Sequence, residues 1–218
     1  MFFNNKKVIL ISLFSLFIFS CDSDSNPVSP PLDECGVSGG DNSTCTDECG
    51  VINGNTIEEC GSCGYVYIFG SCYDTSITFL EIEEEGLQGE FPTGVFNLPN
   101  LTSLRISNNG DGLNGNIPSE IGNLINLQTL VIQDNGFTGQ IPSSIGDLVN
   151  LQELDLNGNQ LIGEIPSEIG NLINLNYFRL DDNQLSGEIP ETVCELIQNN
   201  SLDIDNILNE NNLINTCD

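Results

Sequence analysis

The 218-residue chain has no histidine, no tryptophan and a single methionine. Without histidine there is no Ser-His-Asp triad, no Cys-His nucleophile pair and no imidazole-bound metal. Cations are nearly as scarce: four Lys and Arg side chains stand against 32 carboxylates, for a formal charge of −28 at pH 7. So few cations cannot neutralise a run of phosphates, which argues against nucleic acid as a partner. The N-terminal apolar run, Val8 to Ser20, has 13 residues. That falls short of the roughly 20 that a helix needs to stay across a bilayer.

The same run, with Lys6 and Lys7 ahead of it, predicts an export signal over residues 1–21. It ends Ile18-Phe19-Ser20-Cys21. This resembles a bacterial lipobox, in which a small residue precedes a cysteine that is thioether-linked to diacylglycerol. The resemblance implies lipidation of Cys21 and a lipid-anchored place at the cell surface or outer membrane. The alternative is ordinary cleavage nearby, with Cys21 left for a disulfide. Setting Cys21 aside leaves eight of the nine cysteines, an even number. Removal of Lys6 and Lys7 with the signal takes the net charge from −28 to −30. No long polyacidic block is present, so the charge describes a solvated acidic surface. Such a surface serves solubility, or it attracts cations and basic partners.

Residues 22–34 lack apolar periodicity and hold Pro27, Pro30 and Pro31. At ~3.1 Å per residue they form a tether up to about 40 Å long. Residues 35–72 carry six cysteines, Cys35, Cys45, Cys49, Cys60, Cys63 and Cys72. In an exported chain that density predicts a small disulfide-rich module spanning 35–76 together with an N-terminal cap. The stretch Cys35-Gly-Val-Ser-Gly-Gly-Asp-Asn-Ser-Thr-Cys45 resembles a short cysteine-rich motif of secreted proteins, with Ser38 in place of that motif's second cysteine. Pairing among the six is open. Cys60-Gly-Ser-Cys63 has the spacing of a thiol oxidoreductase, but the helix start and βαβ pattern that lower a thiol pKa are not visible around it. A cysteine-bound zinc wants two close pairs, and only one is present.

Internal repetition is the strongest signal. The tetrapeptide G-x-[IF]-P begins at Gly89, Gly115, Gly139, Gly163 and Gly187, at intervals of 26, 24, 24 and 24 residues. The string P-S-E-I-G-N-L-I-N-L occurs verbatim at 118–127 and 166–175. Units align as 77–100, 101–126, 127–150, 151–174 and 175–198. The fourth reads L-x-x-L-x-L-x-x-N-x-L-x-G-x-I-P from Leu151 to Pro166. Leu154 and Leu156 alternate with polar neighbours, which predicts a short strand with those two inward. Asn159, with Asn109, Asn135 and Asn183 in the same slot, sits where the strand must bend. An inward amide there can bond the backbone of its own and the next coil. The second unit carries two extra residues around Asn109-Gly-Asp-Gly112. They form either a loop able to meet a ligand or simple length drift.

The array resembles the leucine-rich repeat, in the 24-residue form of extracellular plant receptors and polygalacturonase inhibitors. The resemblance implies a solenoid with short parallel β-strands on a concave face and irregular or 3-10 outer arcs. Residues 199–218 then make a C-terminal cap, which a solenoid needs to cover its last apolar face. In similar extracellular repeat proteins the cap is closed by a disulfide, which implies pairing of Cys194 with Cys217.

Function is expected on the concave strands, at the third, fifth and seventh residues of each unit. The candidate ligand-binding residues are Phe79, Glu81, Arg105, Val131, Asp155, Tyr177, Arg179 and Asp181. Arg105 and Arg179 are the only cations beyond the signal and share the fifth slot. Either they relieve repulsion among Glu81, Asp155 and Asp181, or their guanidinium forks contact a partner. A wide, shallow face suits an extracellular protein or polysaccharide better than a small metabolite. The expectation is a non-catalytic recognition or adhesion protein without cofactor or metal. Alternatives are a calcium-assisted structural module or an inhibitor of an extracellular hydrolase. No D-x-[DN]-x-[DN]-G loop supports calcium.

Overall fold

A computed structural model describes residues 65–83 and 87–217. The expected signal with Cys21, the tether, and the cysteines from Cys35 to Cys63 lie outside the described residues. The chain divides into two compact units. Among the described residues, one gathers 65–77 with 92–98, and the other gathers 78–91 with 99–217.

The smaller unit pairs β1 (Tyr65–Ile68) and β2 (Ser71–Asp74) in an antiparallel hairpin. Its turn places Phe69 and Gly70 at positive φ. Val66, Ile68 and Tyr73 are buried, and a 3-10 turn over Thr93–Asn97 packs on β1. A Cβ on Gly94 would lie 2.8 Å from the Tyr67 carbonyl oxygen, so only glycine permits that approach. Cys72, on β2, is disulfide-bonded.

The larger unit is the repeat array. Its strands are β3 (Phe79–Glu83), β4 (Ser103–Asn116), β5 (Thr129–Gly139), β6 (Glu153–Asp155), β7 (Gln160–Gly163), β8 (Tyr177–Arg179), β9 (Gln184–Glu188) and β10 (Asn212–Ile214). They form two parallel ladders. The first runs β3, the start of β4, the start of β5, β6 and β8, in one unbroken register. Leu80, Leu104, Leu130, Leu154 and Phe178 stack inward along it, each at or below 2% exposure. The second ladder joins the ends of β4 and β5 to β7, β9 and β10. It goes beyond the repeat pattern, which implies only irregular or 3-10 arcs for the rest of each coil. Those arcs exist, as 3-10 turns over Ser119–Asn123, Ser143–Asp147 and Ser167–Asn171, but a second strand precedes each of them.

The repeat's prolines start these turns. The Pro118, Pro142 and Pro166 carbonyls accept from the Ile121, Ile145 and Ile169 N–H groups. Their φ values of −69°, −68° and −62° are the ones the ring imposes, and no N–H is lost there because none is needed. The glycine three residues into each turn lets coils stack. A Cβ on Gly146 would lie 2.4 Å from the Glu168 carbonyl oxygen, and Gly122 and Gly170 sit equally close to the following coil.

The later members of the asparagine row do what their chemistry predicted, whereas Asn109 donates to the Ser107 carbonyl and to Asn135 Oδ1 and has its own Oδ1 buried without a partner. Asn159 Nδ2 donates to the Ile132, Leu156 and Asn157 carbonyls, while its Oδ1 accepts the Phe137 N–H. Asn183 repeats this one coil on. Asn211 extends the row into the cap, accepting from Leu185 N–H and donating to Leu180 and Ile207. Each of these later amides thus satisfies backbone groups of two coils that would otherwise be orphaned in the core.

The last coil ends in helix α1 (Glu191–Asn200), which replaces a 3-10 arc, and helix α2 (Asp205–Leu208). The open edge of β8 is closed by backbone bonds, with Leu180 and Asp181 donating to the Asn206 carbonyl. Cys194 and Cys217 are joined by a disulfide, Cα–Cα 5.0 Å, which ties α1 to the end of the described chain. Among the described residues no helix is long and apolar enough to cross a membrane.

Candidate binding face

The register of the first ladder places the candidate residues in rows. Phe79, Ser103, Thr129, Glu153 and Tyr177 form one row across the five strands. Glu81, Arg105, Val131, Asp155 and Arg179 form the next. Glu83, Ser107 and Gln133 continue a third, which Asn157 and Asp181 extend by sequence. All eight candidates therefore lie on one sheet face.

They are not equally accessible. Tyr177 is exposed, and Phe79, Glu81, Arg105, Arg179 and Asp181 are half-buried. Val131 and Asp155 are buried, at 2% and 3% exposure. This corrects the expectation that both are free to touch a partner. The cause lies in their neighbours. Arg105 Nη2 donates to Glu153 Oε2 at 2.6 Å, a bridge from β4 to β6 that must cross β5 where Val131 stands. Arg179 closes the other side of Asp155: its Nε and Nη2 donate to Asp181 Oδ1 and Oδ2 at 2.9 and 2.6 Å.

The two arginines therefore neutralise carboxylates on the face itself. Arg179 is held charged beyond the usual range by its fork on Asp181. Asp155 moves the other way. Burial raises its pKa, partly countered by the Asn157 N–H and by Arg179, and reinforced by Asp181 and Glu153. Two members were not singled out from sequence. Glu153 holds Arg105, which only the register reveals. Asn157 has its Oδ1 buried without a hydrogen-bond partner.

The extra residues of the second unit fold back on the array. Register shifts in β4 around Gly110 and Asn114 absorb them, and Asp111 Oδ1 accepts from Gln160 Nε2 two coils away, at 3.0 Å. The loop packs on Gly136, where a Cβ would lie 2.9 Å from the Asp111 Cα. It is a brace along the sheet.

A separate row lies on the outer arcs. Ile125, Val149 and Ile173 occupy one slot in three successive coils and are 58%, 50% and 72% exposed. Beside them, Asn126, Asn150 and Asn174 each donate to a carbonyl of the preceding coil. The repeated L-[IV]-N-L string carried this signal in the sequence. Among the described residues no group of three or more acidic or cysteine side chains is arranged to hold a metal ion.

The family model of leucine-rich repeats in two copies matches residues 125–172, and that of the single leucine-rich repeat matches 100–124 and 174–196. No curated protein matches the chain. Among solved structures, a TDR receptor is 40% identical, with 63% of this chain and 23% of that one covered and a TM-score of 0.56. The Arabidopsis receptor kinase HAESA, solved with the peptide hormone IDA and the co-receptor SERK1, is 36% identical over 62% of this chain and 21% of that one, TM-score 0.52. A plant ice-binding protein is 29% identical over 84% of this chain and 52% of that one, TM-score 0.55. The chain thus spans about a quarter or less of the two receptor structures and about half of the ice-binding one. With the repeat period, the paired ladders and the asparagine row, these matches identify the fold as a leucine-rich repeat solenoid, similar to that of plant receptor ectodomains.

Proposed function

We propose that this chain is a non-catalytic extracellular recognition protein, held at a membrane surface by a lipid on Cys21, that seats a protein or polysaccharide on the open face of its first ladder. The observation that carries the reading is the row Glu81, Arg105, Val131, Asp155, Arg179: one backbone register that holds a different side chain in nearly every coil, with Glu81, Arg105 and Arg179 reaching the surface. Stacking alone does not need such variety. A shallow five-strand surface also suits a large partner better than a small one. HAESA, a structural neighbour, was solved with a peptide hormone and a co-receptor, which supports a protein partner here.

The test is a binding screen of the purified chain against extracellular proteins and glycans, repeated with Tyr177→Ala combined with Arg105→Gln and Arg179→Gln. Loss of binding with an intact thermal transition supports the face. Full binding by the triple variant moves the site elsewhere. Mass spectrometry of the mature N-terminus tests the lipid on Cys21.

A second reading is favoured by the outer row of Ile125, Val149 and Ile173 with its flanking amides. An apolar and amide array repeated at coil spacing can order water, and one structural neighbour is a plant ice-binding protein. Under this reading the chain slows ice-crystal growth, and Val149→Asp with Ile173→Asp abolishes the effect. Ice growth unaltered by the unmodified protein removes it.

A further inference from the structure

The last coil is held by a covalent tie more than by packing. On β10, Asn212 and Ile214 are exposed and Leu213 is half-buried, so the strand that ends the second ladder buries little of its own. Beyond it, Thr216 Oγ1 donates to the Ile189 carbonyl at 2.7 Å, and Cys217 is bonded to Cys194, the fourth residue of α1. The recognition function proposed above makes no use of this disulfide.

The disulfide opens into a cavity. A depression of about 460 Å³ is lined by both cysteines, by Thr216 and by three carboxylates, Glu188 at the end of β9 and Glu191 and Glu195 on α1. All three glutamates are exposed, and among the described residues no Lys or Arg lines the cavity beside them. The two sulfurs are not equally open. Cys194 is 6% exposed, whereas Cys217 is half-buried. Exchange at a disulfide proceeds by thiolate attack, and access helps to decide which sulfur is struck.

We infer that Cys217 is the point where thiol exchange enters this cap, and that the three carboxylates sort incoming thiols by charge, admitting aminothiols ahead of neutral thiols and neutral thiols ahead of acidic ones. This goes beyond the recognition function and does not rest on it. The step balances with the external thiol as the one reductant. Its thiolate attacks Cys217 Sγ and forms a mixed disulfide there, while the bond to Cys194 breaks. The electron pair leaves on Cys194 Sγ, which takes up a proton. A second thiol then attacks the mixed disulfide, releases Cys217 as a thiol and departs as the symmetrical disulfide. The protein gains two electrons and two thiols lose one each. Coulomb repulsion from the carboxylates acts on the whole charge of the attacking species. That charge is zero for the thiolate of an aminothiol, one negative for that of a thiol alcohol and two negative for that of a thiol sulfonate.

The experiment uses the full chain. Cysteamine, 2-mercaptoethanol and 2-mercaptoethanesulfonate are applied at one pH, in excess and at low salt, and each rate is divided by that with an uncharged small disulfide to remove intrinsic reactivity. Samples are quenched in acid, alkylated and digested. The masses of the Cys194 and Cys217 peptides are then followed, which separates this bond from that of Cys72. The aminothiol is expected to open it about tenfold faster than the sulfonate, with the alcohol between them, and the spread should narrow as salt screens it. The first mixed disulfide should form on Cys217. Glu188→Gln with Glu195→Gln should cut the spread to about threefold, and Glu120→Gln with Glu168→Gln, the same charge removed from the outer arcs, should leave it unchanged. Corrected rates that ignore thiol charge mean that the bond opens by fraying of the cap, and overturn the inference; this arm needs only the unaltered chain. A first mixed disulfide on Cys194 overturns it too, as does equal narrowing in the two doubles.

Discussion

The two sides of each coil make opposite use of the same repeat. On the outer arcs the residues barely change: Gly122, Gly146 and Gly170 in one slot, Asn126, Asn150 and Asn174 in another. Each of these touches the neighbouring coil, through a carbonyl too close for a Cβ or an amide bonded to its backbone. On the open ladder face the fifth slot runs Glu, Arg, Val, Asp, Arg. Sameness marks where a coil meets a coil. Variety marks where the strands are constrained only by their own side-chain neighbours, and so where chemical information can be held.

The largest way to test that contrast is to damage the stacking side. Asn159→Ala orphans the Phe137 N–H and strips a donor from three carbonyls. At ~1–3 kcal/mol per orphaned buried group it should cost about 3 kcal/mol or more, read as a lower urea midpoint. Gly146→Val should fall in the same class, because the colliding atom is backbone. Next comes the cap. Cys194→Ser with Cys217→Ser opens a loop of 23-residue separation and should cost about 3 kcal/mol, with the loss abolished when both proteins are measured under reducing conditions.

On the open face the effects should be smaller and one should reverse sign. Asp155 has a folded pKa above its unfolded value, so the folded state holds its proton more tightly. Its contribution to stability therefore falls as pH rises through the interval between the two values and stays unfavourable at neutral pH. Asp155→Asn should raise the melting temperature at pH 7, and that gain should shrink as pH falls toward 3.8. A lower melting temperature for the variant at pH 7 would show that the carboxylate is needed for structure. Smallest of all, Arg105→Gln removes a partly exposed bridge and should change stability by no more than about 1 kcal/mol, with little dependence on salt beyond it.

Much of the solenoid was legible before any coordinates. The leucine alternation at Leu154 and Leu156, the G-x-[IF]-P slot and the Asn159 row each recur at a fixed interval, and recurrence separates a structural residue from an incidental one. The second ladder was not legible, because segments such as Gln160–Gly163 hold one buried apolar residue each and carry no alternation to count. The direction of the candidate side chains followed from the strand period. Their accessibility did not: whether Val131 is covered depends on Arg105 in one coil reaching Glu153 two coils away. Such reach belongs to side-chain length and register together, and neither is written at position 131.

The Asp111 to Gln160 brace and the Arg105 to Glu153 bridge both leap over the third coil. A tandem array can ordinarily gain or shed a copy by unequal crossing-over, since each unit meets only its immediate neighbours. Here an additional copy spliced between the second and fourth units would pull both cross-ties apart at once. A lengthening that leaves both ties whole would have to enter before the second unit or after the fourth.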